Sequence, residues 1–256
     1  MDINLLTISL GNSRLAMAVF AAGELVYETH LTLEQRADWP GAIREAWKHL
    51  GTDDADVAVA SVNPALEPEL TGAVVEAAGR TPQFVGREID LPMKLLTKPP
   101  EATGVDRVCA LAAAYEQLGK ACVVVDAGTA VTIDAASDAG DFVGGAILPG
   151  LGMMLDALHQ RTAKLPAVDF KPPEHAVGQN TEDAIRSGVF HAIRGAVRDV
   201  VEQYALDHGS WPEVIATGGD AAKLFADWDV VHAISPPLLH YGIAKAYADH
   251  HINHAV

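Results

Sequence analysis

Asp106 and Arg107 stand side by side in the stretch GVDRV, at the start of an apolar run that reads as a helix. Successive helix positions are rotated by about 100°, so the two side chains diverge and can serve different groups. A carboxylate so placed can accept a proton from an alcohol, and a guanidinium can clamp a substrate carboxylate bidentately. Alone, the pair reads more plainly as a helix-start Asp beside a solvated Arg. A second candidate is SLGNS, residues 9–13, where two apolar runs meet at a turn whose Ser, Asn and backbone N–H groups can all touch a phosphate. Its counterpart is Asp126-Ala127-Gly128-Thr129-Ala130, at an offset of 126 − 9 = 117 positions. Glycine at each tip lets backbone amides approach phosphate oxygens without a Cβ in the way. One such hairpin is ordinary turn chemistry, whereas a facing pair could hold a polyphosphate from both sides. A third glycine-rich turn, TGGDAAKLF over Thr217–Phe225, joins a strand to a helix and admits a planar or phosphorylated ligand at the helix start. It reads equally well as a tight turn with Asp220 near the cap.

The elements that must position these groups repeat as well. NLLTISL, RLAMAVFAA and GELVYETHLTL are short apolar runs with tight turns and predict a β-meander. A helix is expected from about Pro40, then a buried strand DVAVASV, a helix over PELTGAVVEAAG stopped by Gly79, and a short strand PQFVG. Glu88 to Thr103, with Pro92, Pro99 and Pro100, must be loop, and a helix follows over Val105 to Leu118. ACVVVDAGTAVTIDA and DAGDFVGGAIL then restart the strand-turn-strand pattern. Helices are expected over Leu151–Thr162, Thr181–His208, Ala221–Ala226 and Pro237–His251, with a strand at PEVIATG. Strands first and helices after, twice over, predict an α/β protein duplicated into two domains, 1–117 and 118–256, sharing a ligand cleft.

Composition narrows the partners. The 256 residues carry 34 Asp and Glu against 18 Lys and Arg, a formal charge of −16 that repels nucleic acid and anionic membranes. A small anionic ligand then needs local backbone N–H groups, a few basic residues or a divalent metal. The two cysteines, Cys109 and Cys122, sit in apolar runs and suggest buried thiols in a reducing compartment, the cytoplasm. Leu15 to Ala22 is too short to span a bilayer, and Gly11-Asn12 interrupts the apolar run before it. His250, His251 and His254 in HHINH have spacing at which two imidazoles can share a helix face. A solvated terminus is the simpler reading, and no metal is assigned to them.

The ordered set SLGNSR, PEATGVDR, VVVDAGTAVTID, GGAILPGLGMML, QNTEDAIRSGVF and IATGGDAAKLF, spread over nearly the whole chain, resembles the type III pantothenate kinases. The resemblance implies two ribonuclease-H-like domains of the actin-like ATPase superfamily in a homodimer. It implies transfer of the ATP γ-phosphoryl group to the hydroxyl of pantothenate, the first step towards coenzyme A, with Mg²⁺ and a monovalent cation such as K⁺ or NH₄⁺. Carried over by position, Asp106 is the general base and Arg107 binds the pantothenate carboxylate, with Gly104 and Val105 lining the same pocket and Thr181 bonding pantothenate from the opposite domain or subunit. Ser9, Gly11, Asn12, Ser13 and Arg14 form the first phosphate hairpin. Gly128 and Thr129 form the second, with Asp126 at the metal, and Gly218 and Gly219 sit by the adenosine.

The chain departs from the family pattern at Ser9, where DxGNT or DxGNS is usual. A neutral hydroxyl is a poorer partner for a hard dication, and one lost electrostatic element can cost about 3 kcal/mol, roughly a hundredfold in rate. Thr97 stands where a Tyr is frequent, and Ala16 and Met17 where many members have Lys and Trp. Two readings follow: an active kinase in which Asp126 with extra waters compensates, or a catalytically impaired homologue keeping a nucleotide-binding or regulatory role. The intact GVDR and second hairpin favour the first. Arg107 suggests a carboxylate-bearing acceptor, leaving another small hydroxy acid open beside pantothenate.

Overall fold

A computed structural model describes residues 3–52 and 54–254, which divide into two compact units. The first runs from the N-terminal side to Glu116 and takes in the residues from Pro237 onward; the second is Gln117–Pro236.

In the first unit β1 (Leu5–Leu10), β2 (Arg14–Ala21) and β3 (Glu24–Thr32) form the expected meander. A 3₁₀ segment, Leu33–Asp38, enters helix α1 (Trp39–Lys48). Then follow β4 (Asp56–Ser61), α2 (Glu67–Ala78), β5 (Gln83–Phe84) and α3 (Val105–Leu118). Gly79 ends α2 at φ 65, where the left-handed backbone favours glycine. The sheet order is β3-β2-β1-β4-β5, antiparallel on the meander side of β1 and parallel towards β5.

β1 is central and covered on both faces, so its run is apolar on both faces apart from Thr7 and Ser9. Leu6, Ile8 and Leu10 pack with Trp39 and Ile43 of α1 and Leu70 and Val74 of α2. Leu5, Ala18, Phe20, Ala58 and Ala60 form the other face with Cys109 of α3. Each large apolar side chain buried there contributes about 1.5–3 kcal/mol.

The second unit repeats the plan with β6 (Cys122–Ala127), β7 (Ala130–Ala136), β8 (Phe142–Pro149), α4 (Leu151–Gln160), α5 (Thr181–His208), β9 (Glu213–Thr217), α6 (Ala221–Phe225) and β10 (Ala233–Ile234). Its order, β8-β7-β6-β9-β10, has the same parallel and antiparallel pairings as the first sheet. β1 and β6 lie 122 − 5 = 117 residues apart, the offset read from the hairpins, and share one burial pattern along their length. Val123, Val125 and Val131 pack on Val189, Ile193 and Val197 of α5.

Helix α7 (Leu238–His254) returns to the first unit, so the chain does not divide simply at residue 117. Ile243, Ala244 and Ala246 join the Leu5 and Phe20 face. At Gly242 the two helices meet backbone to backbone, because a Cβ there would overlap the Cys109 carbonyl. No local pattern announces such a return. Among the described residues, no helix is long and apolar enough to cross a membrane.

Candidate functional site

In the first unit, three elements bring Asp106 and the first hairpin together. Asp106 lies in the first turn of α3, and its carboxylate accepts the Arg107 backbone N–H at 2.8 Å. Gly104 precedes it at a crowded point, since a Cβ would approach Asp106 Oδ1 to 2.7 Å and Val62 Cγ1 to 3.7 Å. Val62 in turn donates its N–H to the Leu10 carbonyl at 3.0 Å, and Asn63 Nδ2 donates to the Gly11 carbonyl at 3.3 Å. Gly104, Val105, Asp106 and Arg107 thus adjoin Ser9–Arg14 through the end of β4. Asn63 carries this link and was not singled out from sequence, where it reads as ordinary turn material.

The hairpin closes on a Gly11 N–H to Arg14 carbonyl bond of 3.0 Å, with Asn12, Ser13 and Arg14 exposed and Ser9 half-buried. Strand alternation puts Ser9 on the same face as Thr7. Thr7 Oγ1 donates to the Ala18 carbonyl at 3.0 Å and so accepts from His240 Nδ1, 2.9 Å away. Burial, with the Arg14 charge adding, pushes the His240 imidazole down to about 4, so a neutral ring underlies this face.

Burial pushes the Asp106 carboxyl above the usual carboxylate range, opposed by the Arg107 N–H and guanidinium. A carboxylate raised towards neutrality is a better proton acceptor at pH 7 than a fully solvated one.

In the second unit, Asp126 occupies the position in β6 that Ser9 occupies in β1. Gly128 N–H bonds the Ala130 carbonyl at 3.0 Å, closing a loop of three residues between Ala127 and Val131 where the first hairpin has four between Leu10 and Leu15. The third glycine turn docks here. Gly218, at φ +93, has no space for a side chain, since a Cβ would overlap Asp126 Oδ1 and the Ala127 carbonyl, and Asp220 N–H donates to that carbonyl at 2.9 Å. Gly150 is a further glycine of this cluster. It closes on the same hairpin from α4, donating to the Thr129 carbonyl at 3.1 Å in a space a Cβ would fill. Asp126, Gly128, Thr129, Gly218 and Gly219 therefore form one cluster, with Thr129 and Gly219 exposed. A carboxylate oxygen beside glycine backbone is a hard donor, the type that suits a hard cation such as Mg²⁺.

Thr181 opens α5, exposed, after Asn180, whose Oδ1 caps the helix by accepting the Asp183 N–H at 3.0 Å. A cavity of ≈ 370 Å³, lined in part by Lys171, His175, Gly178 and Arg186, adjoins this turn.

A family model for type III pantothenate kinase matches residues 5–203. A type III pantothenate kinase from Moorella thermoacetica is 32% identical over 249 residues, covering 95% of this chain and 98% of the relative. One from Pelobacter propionicus is 36% identical over 232 residues, covering 87% and 89%. Among solved structures, component A of the Acidaminococcus fermentans (R)-2-hydroxyglutaryl-CoA dehydratase superposes with TM-score 0.58 at 13% identity, covering 99% of this chain and 100% of that one. That likeness concerns the fold alone: two ribonuclease-H-like domains of the actin-like ATPase kind. With matched sheets, two glycine hairpins and a half-buried acid at the head of α3, the chain belongs to the type III pantothenate kinase family.

Proposed function

We propose that this protein transfers the γ-phosphoryl group of ATP to the primary hydroxyl of pantothenate, giving 4′-phosphopantothenate on the way to coenzyme A. The observation that carries the residue assignment is Asp106. Its carboxyl is raised by burial and adjoins a phosphate-type hairpin through Val62. Asp106 accepts the hydroxyl proton as the oxygen attacks the γ-phosphorus and the bond to the β-phosphate breaks. Arg107 clamps the pantothenate carboxylate, fixing the reacting hydroxyl at a set distance, while Gly104 and Val105 shape the wall. Most of the acceleration in such a reaction comes from this positioning and from charge neutralisation.

The first hairpin offers phosphate oxygens the backbone N–H groups of Gly11 to Ser13, the hydroxyls of Ser9 and Ser13, the Asn12 amide and the Arg14 guanidinium. The second offers Gly128 and Thr129, with Gly218 and Gly219 beside the adenosine. Mg²⁺ held at Asp126, together with K⁺ or NH₄⁺, would supply the positive charge that an acidic protein lacks. Ser9 leaves Asp126 as the carboxylate at the matched strand positions, and the reading is of an active kinase. Thr181 would reach pantothenate from a partner copy in a homodimer, and the buried thiols of Cys109 and Cys122 suit the cytoplasm.

The test is ADP release from ATP with Mg²⁺, with and without pantothenate. Pantothenate-dependent release is expected; release indifferent to pantothenate, or faster with another hydroxy acid, would overturn the substrate.

A further inference from the structure

The described end of α7 carries a cluster that phosphoryl transfer does not use. Asp90, His250 and His254, all of the first unit, bring one potential ligand atom each within 4.8 Å of the others. His250 Nδ1 lies 3.1 Å from Asp90 Oδ2, and His254 Nδ1 lies 3.9 Å from that same oxygen. The two rings, one helical turn apart, have centroids 4.3 Å apart and planes tilted by 32°. His254 Nδ1 also sits 2.8 Å from the His250 carbonyl, so it carries the proton there and its Nε2 keeps a free lone pair. His251 turns away to Tyr247, at 4.2 Å between centroids.

We propose that Asp90, His250 and His254 form a site for a divalent transition metal, best matched by Zn²⁺, that ties the end of α7 to the segment leading into Asp106. Three arguments converge on it. Two imidazoles with one carboxylate are a donor set that favours Zn²⁺ and its neighbours over Mg²⁺ or Ca²⁺. Helix spacing sets the two rings one turn apart, and the His250 carbonyl holds the His254 ring with its Nε2 unprotonated, so the rearrangement left for binding is confined to side chains. A formal charge of −16 concentrates cations at the surface. Bonds of about 2.1 Å in tetrahedral geometry need donors about 3.4 Å apart, so the ligands close by roughly an ångström. His254, at the exposed last turn of α7, can make that movement by side-chain rotation. The vacant fourth position takes water, as three-ligand sites do.

The experiment is titration of the tag-free full chain with Zn²⁺ by calorimetry, with Co²⁺ absorption as a second readout. One Zn²⁺ per chain is expected at micromolar affinity, with a rise in Tm and a cobalt spectrum of a nitrogen- and oxygen-ligated ion. D90N and H254Q each weaken binding at least tenfold, whereas H251Q leaves it unchanged. H254Q removes an exposed side chain, so its folding is not at stake, and circular dichroism checks D90N. Absence of saturable binding below 100 µM, wild-type affinity in D90N, or an equal loss in H251Q would overturn the site.

Discussion

The two hairpins share a backbone plan and differ in chemistry. Ser9 and Asp126 occupy the same position of matched central strands, with the same burial on either side. Around Asp126, Gly218 packs against the carboxylate and the Ala127 carbonyl, and Gly150 against the Thr129 carbonyl, so closely that a side chain cannot enter. In the first hairpin Gly11 is not so confined: a Cβ there would lie 3.4 Å from the Arg14 carbonyl, an ordinary approach. The first hairpin displays hydroxyl, amide and guanidinium groups, which suit an anion; the second displays a carboxylate, which suits a cation. Duplication conserved the route of the chain and left side-chain charge free to specialise.

The largest expected effect falls on the acid that lies beside the first hairpin. Asp106→Asn lowers kcat by about 10³, within the range for loss of a general base, while pantothenate KM changes little. Because the folded carboxyl titrates above its unfolded value, its favourable contribution is present at low pH and lost as pH rises through that raised value. The Asn variant should therefore be at least as stable as the parent at pH 7.5, and calorimetry checks this. A coincident fall in Tm would mean that Asp106 is structural.

Next in size are exchanges at the matched strand positions. Asp126→Asn is expected to lower kcat about a hundredfold and raise the Mg²⁺ needed for half-activity, whereas Ser9→Ala costs only a few-fold. Ser9→Asp should raise turnover at limiting Mg²⁺, by up to about a hundredfold. Equal responses to Asp126→Asn and Ser9→Ala would erase the chemical distinction between the two hairpins.

Glycine substitutions sharpen the steric half of the comparison. Gly218→Ala meets both a left-handed backbone and occupied space and should lose about 1–3 kcal/mol by denaturant titration, while Gly11→Ala stays within about 0.5 kcal/mol.

A gentler effect belongs to His240, beneath the first hairpin only. Its folded value, about 4 against an ordinary 6.5, means that stability is full above pH 6.5 and declines as pH falls towards 4. The decline should approach about 3 kcal/mol at most and should flatten in His240→Asn, which keeps a donor for Thr7.

Much of this was legible because period and punctuation are local. The helices Val105–Leu118 and Thr181–His208 have the bounds that their patterns predict, and the 117-residue offset reappears between the central strands. The 3₁₀ segment Leu33–Asp38 and the two-residue β10 carry too little pattern to announce themselves. The site was legible as separate turns, but its assembly was not. That Gly218 seats on Asp126, Gly150 on Thr129 and Thr7 on His240 depends on pairings between distant segments, which leave no periodic trace.

The return of α7 has a consequence for biogenesis. Leu5 and Leu238 are 238 − 5 = 233 positions apart, yet the sheet that begins at the first needs the helix that begins at the second to cover Leu5 and Phe20. On the ribosome that oily flank stays bare while the whole intervening unit emerges, so the nascent chain should engage holdase chaperones until α7 clears the exit tunnel.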